Sequence, residues 1–257
     1  MASKPTLVFV PGAWHRPETW DKVIAEVAAK GFKGVAVTLP STQGNPAATF
    51  GDDVKATQDI IRRETDSGNN VVIVEHSYGG QVGNSAVKGF SRKSEGRANA
   101  KANVIGIVMM ATGFTVTGMA FLDAMGGQPP PSWVINTETG FADIVVDKRD
   151  MLYHDLPEEE GKEWVAKLTQ HALPSLLSGG EFAYSGWEDV PTWYLKTLED
   201  HALPVELQEY TIKVAREAGA DVTDRGIATS HSPMLSRPKE VGDFITEAVE
   251  YFVSKLD

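Results

Sequence analysis

The chain of 257 residues has no cysteine, which excludes disulfides and thiolate metal sites outright. It has no apolar run of about 18 residues, so no helix of it is expected to span a bilayer. Met1 to Pro5 lack the apolar stretch of a secretory leader, and a soluble, cytoplasmic protein is the expectation. Positive charge is scarce: 24 Lys and Arg face 35 Asp and Glu, a net charge of −11. Such a surface repels phosphate backbones, so neither nucleic acid nor a membrane is an expected partner. Internal repeats and low-complexity tracts are missing as well. A chain of this length with 42% hydrophobic residues can bury a core without staples.

What the chain does have is an alternation of two periodicities over its first 112 residues. Residues 6–10, 34–39, 71–74 and 104–110 are short runs of strand formers, and 71–74 is entirely aliphatic, as a strand buried on both faces should be. Between them, 18–30, 53–64 and 81–90 show helical spacing. The first of these helices carries Trp20, Val23, Ile24 and Val27 on one stripe, with Gly31 at a C-cap position. The rhythm breaks over residues 113 to about 188, which hold Pro129, Pro130 and Pro131 and helical stretches without strong strands. It resumes with a strand at 193–198, a helix at 205–217 with Leu207, Tyr210 and Val214 on one face, and a strand at 221–228. A last helix at 238–252 carries Val241, Phe244, Ile245, Ala248 and Phe252. This predicts one α/β domain: a doubly wound, mostly parallel sheet with helices on both faces, built from residues 1–112 and 189–257. Residues 113–188 form an inserted, mainly helical cap, and the polar, basic stretch 91–101 is a surface connection.

Chemistry concentrates where strands end. His76-Ser77-Tyr78-Gly79-Gly80 follows the buried strand and precedes a helix, the context of a nucleophile elbow. Glu75 stands where that pattern usually has glycine. A serine there could also merely cap the helix. Serine needs a base oriented by a third group. His231, in Ala228-Thr229-Ser230-His231-Ser232-Pro233, follows the last strand at the edge of the sheet where ligands bind. His15, His76, His154, His171 and His201 compete with it but read more simply as solvent or pocket residues, His15 as one that lines the site. The acid should lie between the serine and the histidine in chain order. Asp200 is preferred to Glu199 because it sits further onto the loop. The turn after the first strand, Val10-Pro11-Gly12-Ala13-Trp14-His15, can offer the Ala13 N–H to an oxyanion, beside the N–H of Tyr78.

The stretch from Phe9 to His15 with Trp20, the His-Ser-Tyr-Gly-Gly elbow, and His231-Ser232-Pro233-Met234-Leu235-Ser236 together resemble the compact branch of the α/β-hydrolase family. That branch holds plant methyl esterases, hydroxynitrile lyases and many microbial and fungal hydrolases, and the resemblance spans essentially the whole chain. It implies Ser77, His231 and Asp200 as a catalytic triad and Ala13 and Tyr78 as oxyanion donors, with no metal or organic cofactor. Ser232 stands where the family's lyases carry a lysine, which argues against cyanohydrin cleavage. The expected reaction is hydrolysis of a small-to-medium apolar carboxylic ester or lactone through an acyl-enzyme on Ser77. Trp14, His15, Trp133, Tyr153 and Trp164, together with Phe182, are the expected pocket. Two alternatives stay open: a lyase or other cofactor-free reaction on the same triad, and a small-molecule binding protein derived from a hydrolase. Homodimerisation is left open too, as is Glu75, which is either structural or shares the role of Asp200.

Overall fold

Strand-forming runs separated by amphipathic helices have one stable arrangement, a parallel sheet covered on both faces. The computed structural model, which describes residues 4–256, has that arrangement. Its six parallel strands are β1 (Thr6–Val10), β2 (Lys33–Ala36), β3 (Val71–His76), β4 (Val104–Met110), β7 (Thr192–Thr197) and β8 (Val222–Ile227). They lie in the order β2-β1-β3-β4-β7-β8. Between β4 and β7 the chain adds a separate antiparallel hairpin, β5 (Trp133–Asn136) with β6 (Phe141–Ile144).

Side chains alternate across each strand, and the alternation sorts the core into two layers. Val8, Val10, Val71 and Ile73 pack with α2 (Phe50–Asp66) and α3 (Gly79–Ala86). Leu7, Phe9, Val72 and Val74 pack on the other face with α1 (Asp21–Ala29) and the C-terminal helix α10 (Pro238–Ser254). The remaining helices are α4 (Phe121–Ala124), α5 (Lys148–Tyr153), α6 (Glu158–Ala166), α7 (Leu173–Leu177), α8 (Val205–Glu217) and α9 (Pro233–Ser236). Helix α2 starts with a full capping box between Thr49 and Asp52. Helix α10 buries Val241, Phe244, Ile245, Ala248 and Phe252, the stripe expected of it.

Strand order reverses beside β1: β2 lies on one side of it and β3 on the other, with Val10 opposite Glu75. The loops after β1 and β3 therefore diverge from neighbouring strands at a topological switch point, where α/β sheets open a crevice. Segments from the inserted 113–188 region cross over this edge, since Tyr153, Thr169 and His171 all bond to residues 14–15. Among the described residues no helix is long and apolar enough to cross a membrane. Met1, Ala2 and Ser3, on which part of the N-terminal reading rested, lie outside the described residues.

The inserted region, expected to be mainly helical without strong strands, also carries the short β5–β6 hairpin. Two expectations need correction. The helix expected to reach Phe90 ends at Ala86, and turns carry the chain through Gly89 at φ +84°. On α8 the apolar stripe faces outward: Leu207, Tyr210 and Val214 are exposed, while Gln208, Ile212 and Ala215 are buried. Gln208 turns inward because its side chain bonds to the Thr197 backbone at 3.1 Å and to the Leu203 carbonyl at 2.8 Å.

Candidate active site

Ser77 occupies a tight turn between β3 and α3 with φ +53°, a left-handed conformation that non-glycine residues seldom adopt. Strain of this kind persists only when surrounding bonds enforce it. Here the Ser77 N–H donates to the Met110 carbonyl at 3.2 Å. The Ser77 carbonyl accepts from the Gly80 N–H at 2.8 Å and from Thr112 Oγ1 at 2.7 Å. The glycines are there for space: a Cβ on Gly79 would lie 2.5 Å from the Pro11 carbonyl oxygen, and one on Gly80 would lie 2.1 Å from Thr112 Oγ1. Only bare backbone fits between the two loops.

His231 and Asp200 meet although 31 residues separate them. His231 Nδ1 lies 2.8 Å from Asp200 Oδ2 and 3.0 Å from Oδ1, with both side chains almost wholly buried. Asp200 also accepts N–H bonds from Ala202 and Leu203, both 2.8 Å, and an O–H bond from Thr197 at 2.8 Å. Burial alone would raise the pKa of this carboxyl, but the adjoining His231 charge and these donors outweigh it and hold the group below the usual carboxylate range. An ionised partner keeps the imidazole proton on Nδ1 and leaves Nε2 as the basic nitrogen.

His76, next to Ser77, donates from Nε2 to the carbonyl of His231 itself at 2.8 Å, with the two rings 4.7 Å apart. That bond ties the elbow to the histidine loop. Burial and the nearby His231 and His15 keep His76 neutral by lowering its pKa well below the ordinary imidazole value. Among the described residues, neither Ser77 Oγ nor His231 Nε2 makes a hydrogen bond within 3.5 Å. The N–H groups of Ala13 and Tyr78, both in buried residues, likewise have no partner among the described residues.

A strained serine at the switch point, with a buried histidine–carboxylate pair beside it, makes the comparison with known proteins informative. The model of a family described as the alpha/beta hydrolase family matches residues 7–244. The chain belongs to the alpha/beta hydrolase family. An alpha/beta hydrolase of Aspergillus novofumigatus, nvfD, is 28% identical over 95% of this chain and 96% of its own length. A putative chloroplastic methylesterase 11 of Arabidopsis thaliana is 27% identical over 92% of this chain and 60% of its own. The crystal structure of a pyrethroid hydrolase from Sphingobium faniae superposes with a TM-score of 0.73 over 96% of this chain and 98% of that one, at 17% identity. The protein is thus an alpha/beta hydrolase with esterase-type relatives, and the structural likeness speaks for the fold.

Around the site, this hydrolase departs in part from the expected pocket. His15, Tyr153 and Trp164 line one cleft of about 410 Å³, together with Thr19, Leu168 and the charged Arg16, Glu18, Asp21, Lys22 and Lys167. Ser77 and His231 do not line it. Trp14 and Trp133 instead pack edge to face, 6.2 Å apart, and both are largely buried. Phe182 lies about half exposed against Gly51. Glu75 extends from β3 on the side of Ile73, opposite to His76, and its Oε1 accepts from Asn84 Nδ2 at 2.6 Å. Asn84 in turn accepts from the Trp187 N–H at 3.0 Å. The structure therefore joins Glu75 to α3 and not to His231. Burial pushes its pKa well up, so the carboxyl is held neutral.

Several residues here were not singled out from sequence. Thr112 braces Ser77, and Thr197 and Gln208 surround Asp200. Asp53 accepts from Tyr78 Oη at 2.7 Å and from the Ser41 N–H at 2.9 Å, and burial raises its pKa to about 6. His171, read from sequence only as a solvent or pocket residue, packs edge-on against the Tyr78 ring with centroids 4.6 Å apart. Asp53 falls at helical spacing with Phe50, Val54, Thr57 and Ile61, and a carboxylate on that stripe was the one available signal among these.

Proposed function

We propose that this hydrolase cleaves carboxylic esters or lactones of small-to-medium apolar compounds through an acyl-enzyme on Ser77. The observation that carries the reading is the buried Asp200–His231 pair, 2.8 Å apart, tied through His76 to the turn that bears the strained Ser77. His231 Nε2 takes the Ser77 hydroxyl proton as Oγ bonds to the substrate carbonyl carbon, and the Ser77–His231 hydrogen bond forms as substrate binds. The carbonyl π electrons move onto oxygen, where the Ala13 and Tyr78 N–H groups receive the negative charge. Collapse of the adduct breaks the bond to the leaving alkoxide, which takes the proton from His231. Water then repeats the sequence, giving the acid and free Ser77. Asp200 stays ionised throughout and stabilises the imidazolium. Residues 1–257 act as one domain, with 113–188 as a cap over the site.

The half-buried Phe114 and Phe121, which pack beside Tyr194 and Tyr78, favour an apolar acyl or alkyl group. The test is fluorophosphonate labelling of the wild type and of Ser77→Ala, followed by turnover of esters and lactones of graded size. A stoichiometric adduct on Ser77, lost in the alanine variant with about 10⁴-fold or more of turnover, is expected. An adduct on another serine, or esterase turnover that survives Ser77→Ala, refutes the assignment.

A further inference from the structure

We propose that His15 and His171 form a two-imidazole clamp that positions the Ala13 arm of the oxyanion hole, held in place from the inserted segment by Tyr153 and Ser175. The proposal deepens the acyl-transfer reading above and rests on it.

The peptide unit that joins Ala13 to Trp14 is gripped at both ends. Its carbonyl oxygen accepts from His15 Nδ1 at 2.6 Å, and its N–H makes a longer bond, 3.5 Å, to His171 Nδ1. The second nitrogen of each ring meets a hydroxyl from the inserted segment. Tyr153 Oη lies 2.7 Å from His15 Nε2, and Ser175 Oγ lies 3.0 Å from His171 Nε2. These partners dictate the tautomers. A carbonyl can only accept, so His15 carries its proton on Nδ1 and its Nε2 accepts from Tyr153. An amide can only donate, so His171 Nδ1 is bare and Nε2–H donates to Ser175. The Ser175 proton is then free to go to the Ala172 carbonyl, 2.7 Å away. Every donor in both arms meets an acceptor, provided that both rings are neutral. Burial ensures this, lowering the pKa of His15 to about 4 and of His171 to about 3.

The clamped peptide is one that would otherwise relax. Trp14 has φ +61°, which a large side chain adopts only under constraint. Its carbonyl accepts from the Thr169 N–H at 2.8 Å and Oγ1 at 3.0 Å, and its indole N–H donates to the Ala142 carbonyl at 2.9 Å. The Ala13 N–H lies in the preceding peptide plane, which meets the clamped one at the Ala13 Cα, so fixing the clamped plane restricts how that N–H can be aimed. An oxyanion donor that drifts from its aim loses most of its catalytic value, since that value depends on preorganisation. His171 also packs on the Tyr78 ring, so one imidazole contacts both arms of the hole. Among the described residues neither imidazole hydrogen-bonds to Ser77 or His231, so the role assigned to the two is positioning.

Tyr153→Phe removes one hydroxyl from a buried site without changing its shape. His171→Leu removes the acceptor for the Trp14 N–H, and His171→Asn restores an acceptor oxygen near the Nδ1 position. Kinetics would be read with 4-nitrophenyl butyrate, and oxyanion affinity with an alkyl trifluoromethyl ketone, which forms a charged adduct with an activated serine. We expect Tyr153→Phe and His171→Leu to lower kcat roughly 10- to 100-fold with KM within about threefold. Inhibitor affinity should fall by the same factor, and His171→Asn should recover most of both. Folded variants with unchanged kcat and inhibitor affinity, or with losses in KM alone, overturn the clamp. If His171→Leu does not fold, Tyr153→Phe decides by the same criteria. A wild type that fluorophosphonate labels on Ser77 while the variants keep full kcat refutes the clamp alone. A wild type with no Ser77 adduct refutes the hydrolase reading and the clamp with it.

Discussion

Asp200→Asn is the substitution whose outcome the hydrogen bonds constrain most. An amide has one acceptor oxygen and one donor nitrogen, whereas Asp200 accepts on both oxygens. Oδ1 receives the N–H groups of Ala202 and Leu203, each at 2.8 Å, and Oδ2 receives Thr197 Oγ1 at 2.8 Å. Placing the NH₂ at the Oδ1 position would set it against two backbone donors that cannot reorient. The amide oxygen must therefore take the Oδ1 position, which points the NH₂ at His231 Nδ1 from 2.8 Å away. That contact is satisfied only if Nδ1 is bare and the imidazole proton sits on Nε2. The ring then presents a donor to Ser77 where catalysis needs a base, and the counter-charge for the imidazolium is gone. The expected loss in kcat is roughly 10²- to 10⁴-fold, or about 2.7–5.4 kcal/mol of barrier. Steady-state hydrolysis of 4-nitrophenyl esters, paired with the rate of fluorophosphonate labelling, measures it. Glu199→Gln is the control: Glu199 is exposed and bonds through its backbone, so turnover should barely change. If folded Asp200→Asn keeps turnover within tenfold of the wild type, the tautomer argument fails. If the two variants behave in reverse, Glu199 is the acid.

Ser77→Gly should be more stable than Ser77→Ala by about 1 kcal/mol although both are inactive, because glycine relieves the φ of +53° that alanine retains. Urea denaturation of the two variants checks this, and a less stable glycine variant would mean that the turn is not strained. Glu75→Gln should keep turnover within about tenfold, since the carboxyl bonds to Asn84 and not to His231. Its folded-state pKa is raised, so the native state holds a proton that the unfolded chain releases above the ordinary carboxylate range. Wild-type stability should accordingly fall as pH rises from that range towards the folded pKa, and the glutamine variant should lack this slope. Parallel stability curves for the two proteins between about pH 5 and 8 would contradict a neutral Glu75.

Much of the core could be read because its strands are pure in character. The run Val104–Met110 is apolar throughout and became a strand with those bounds, and Val205–Glu217 became a helix with those bounds. Periodicity identified α8 as a helix but could not say which side the sheet would occupy. The apolar stripe of Leu207, Tyr210 and Val214 faces outward because Gln208 is needed inside, against Thr197 and Asp200. The β5–β6 hairpin escaped notice for a related reason. Its strands are four residues long, and Val134 and Ile135 are exposed, so burial never imposed an alternating pattern on them.

By sequence alone, the order of strands, turns and helices was set, and with it the positions of Ser77, Asp200 and His231 at strand ends, because local propensity and backbone crowding act within a few residues. Position in the chain singled out His231, but the partners that surround it were decided by tertiary structure. Its Nδ1 faces Asp200, and its loop is held by His76 from 155 residues away. The protonation and tautomer of each imidazole follow from burial and from the atom facing each nitrogen, and those atoms come from other segments of the chain. The left-handed turn at Trp14 likewise depends on Ala142, 128 residues distant, and on Thr169, 155 residues distant. No pattern in residues 10–15 could reveal such partners, because hydrogen bonds of this range exist only once the chain has folded over the sheet.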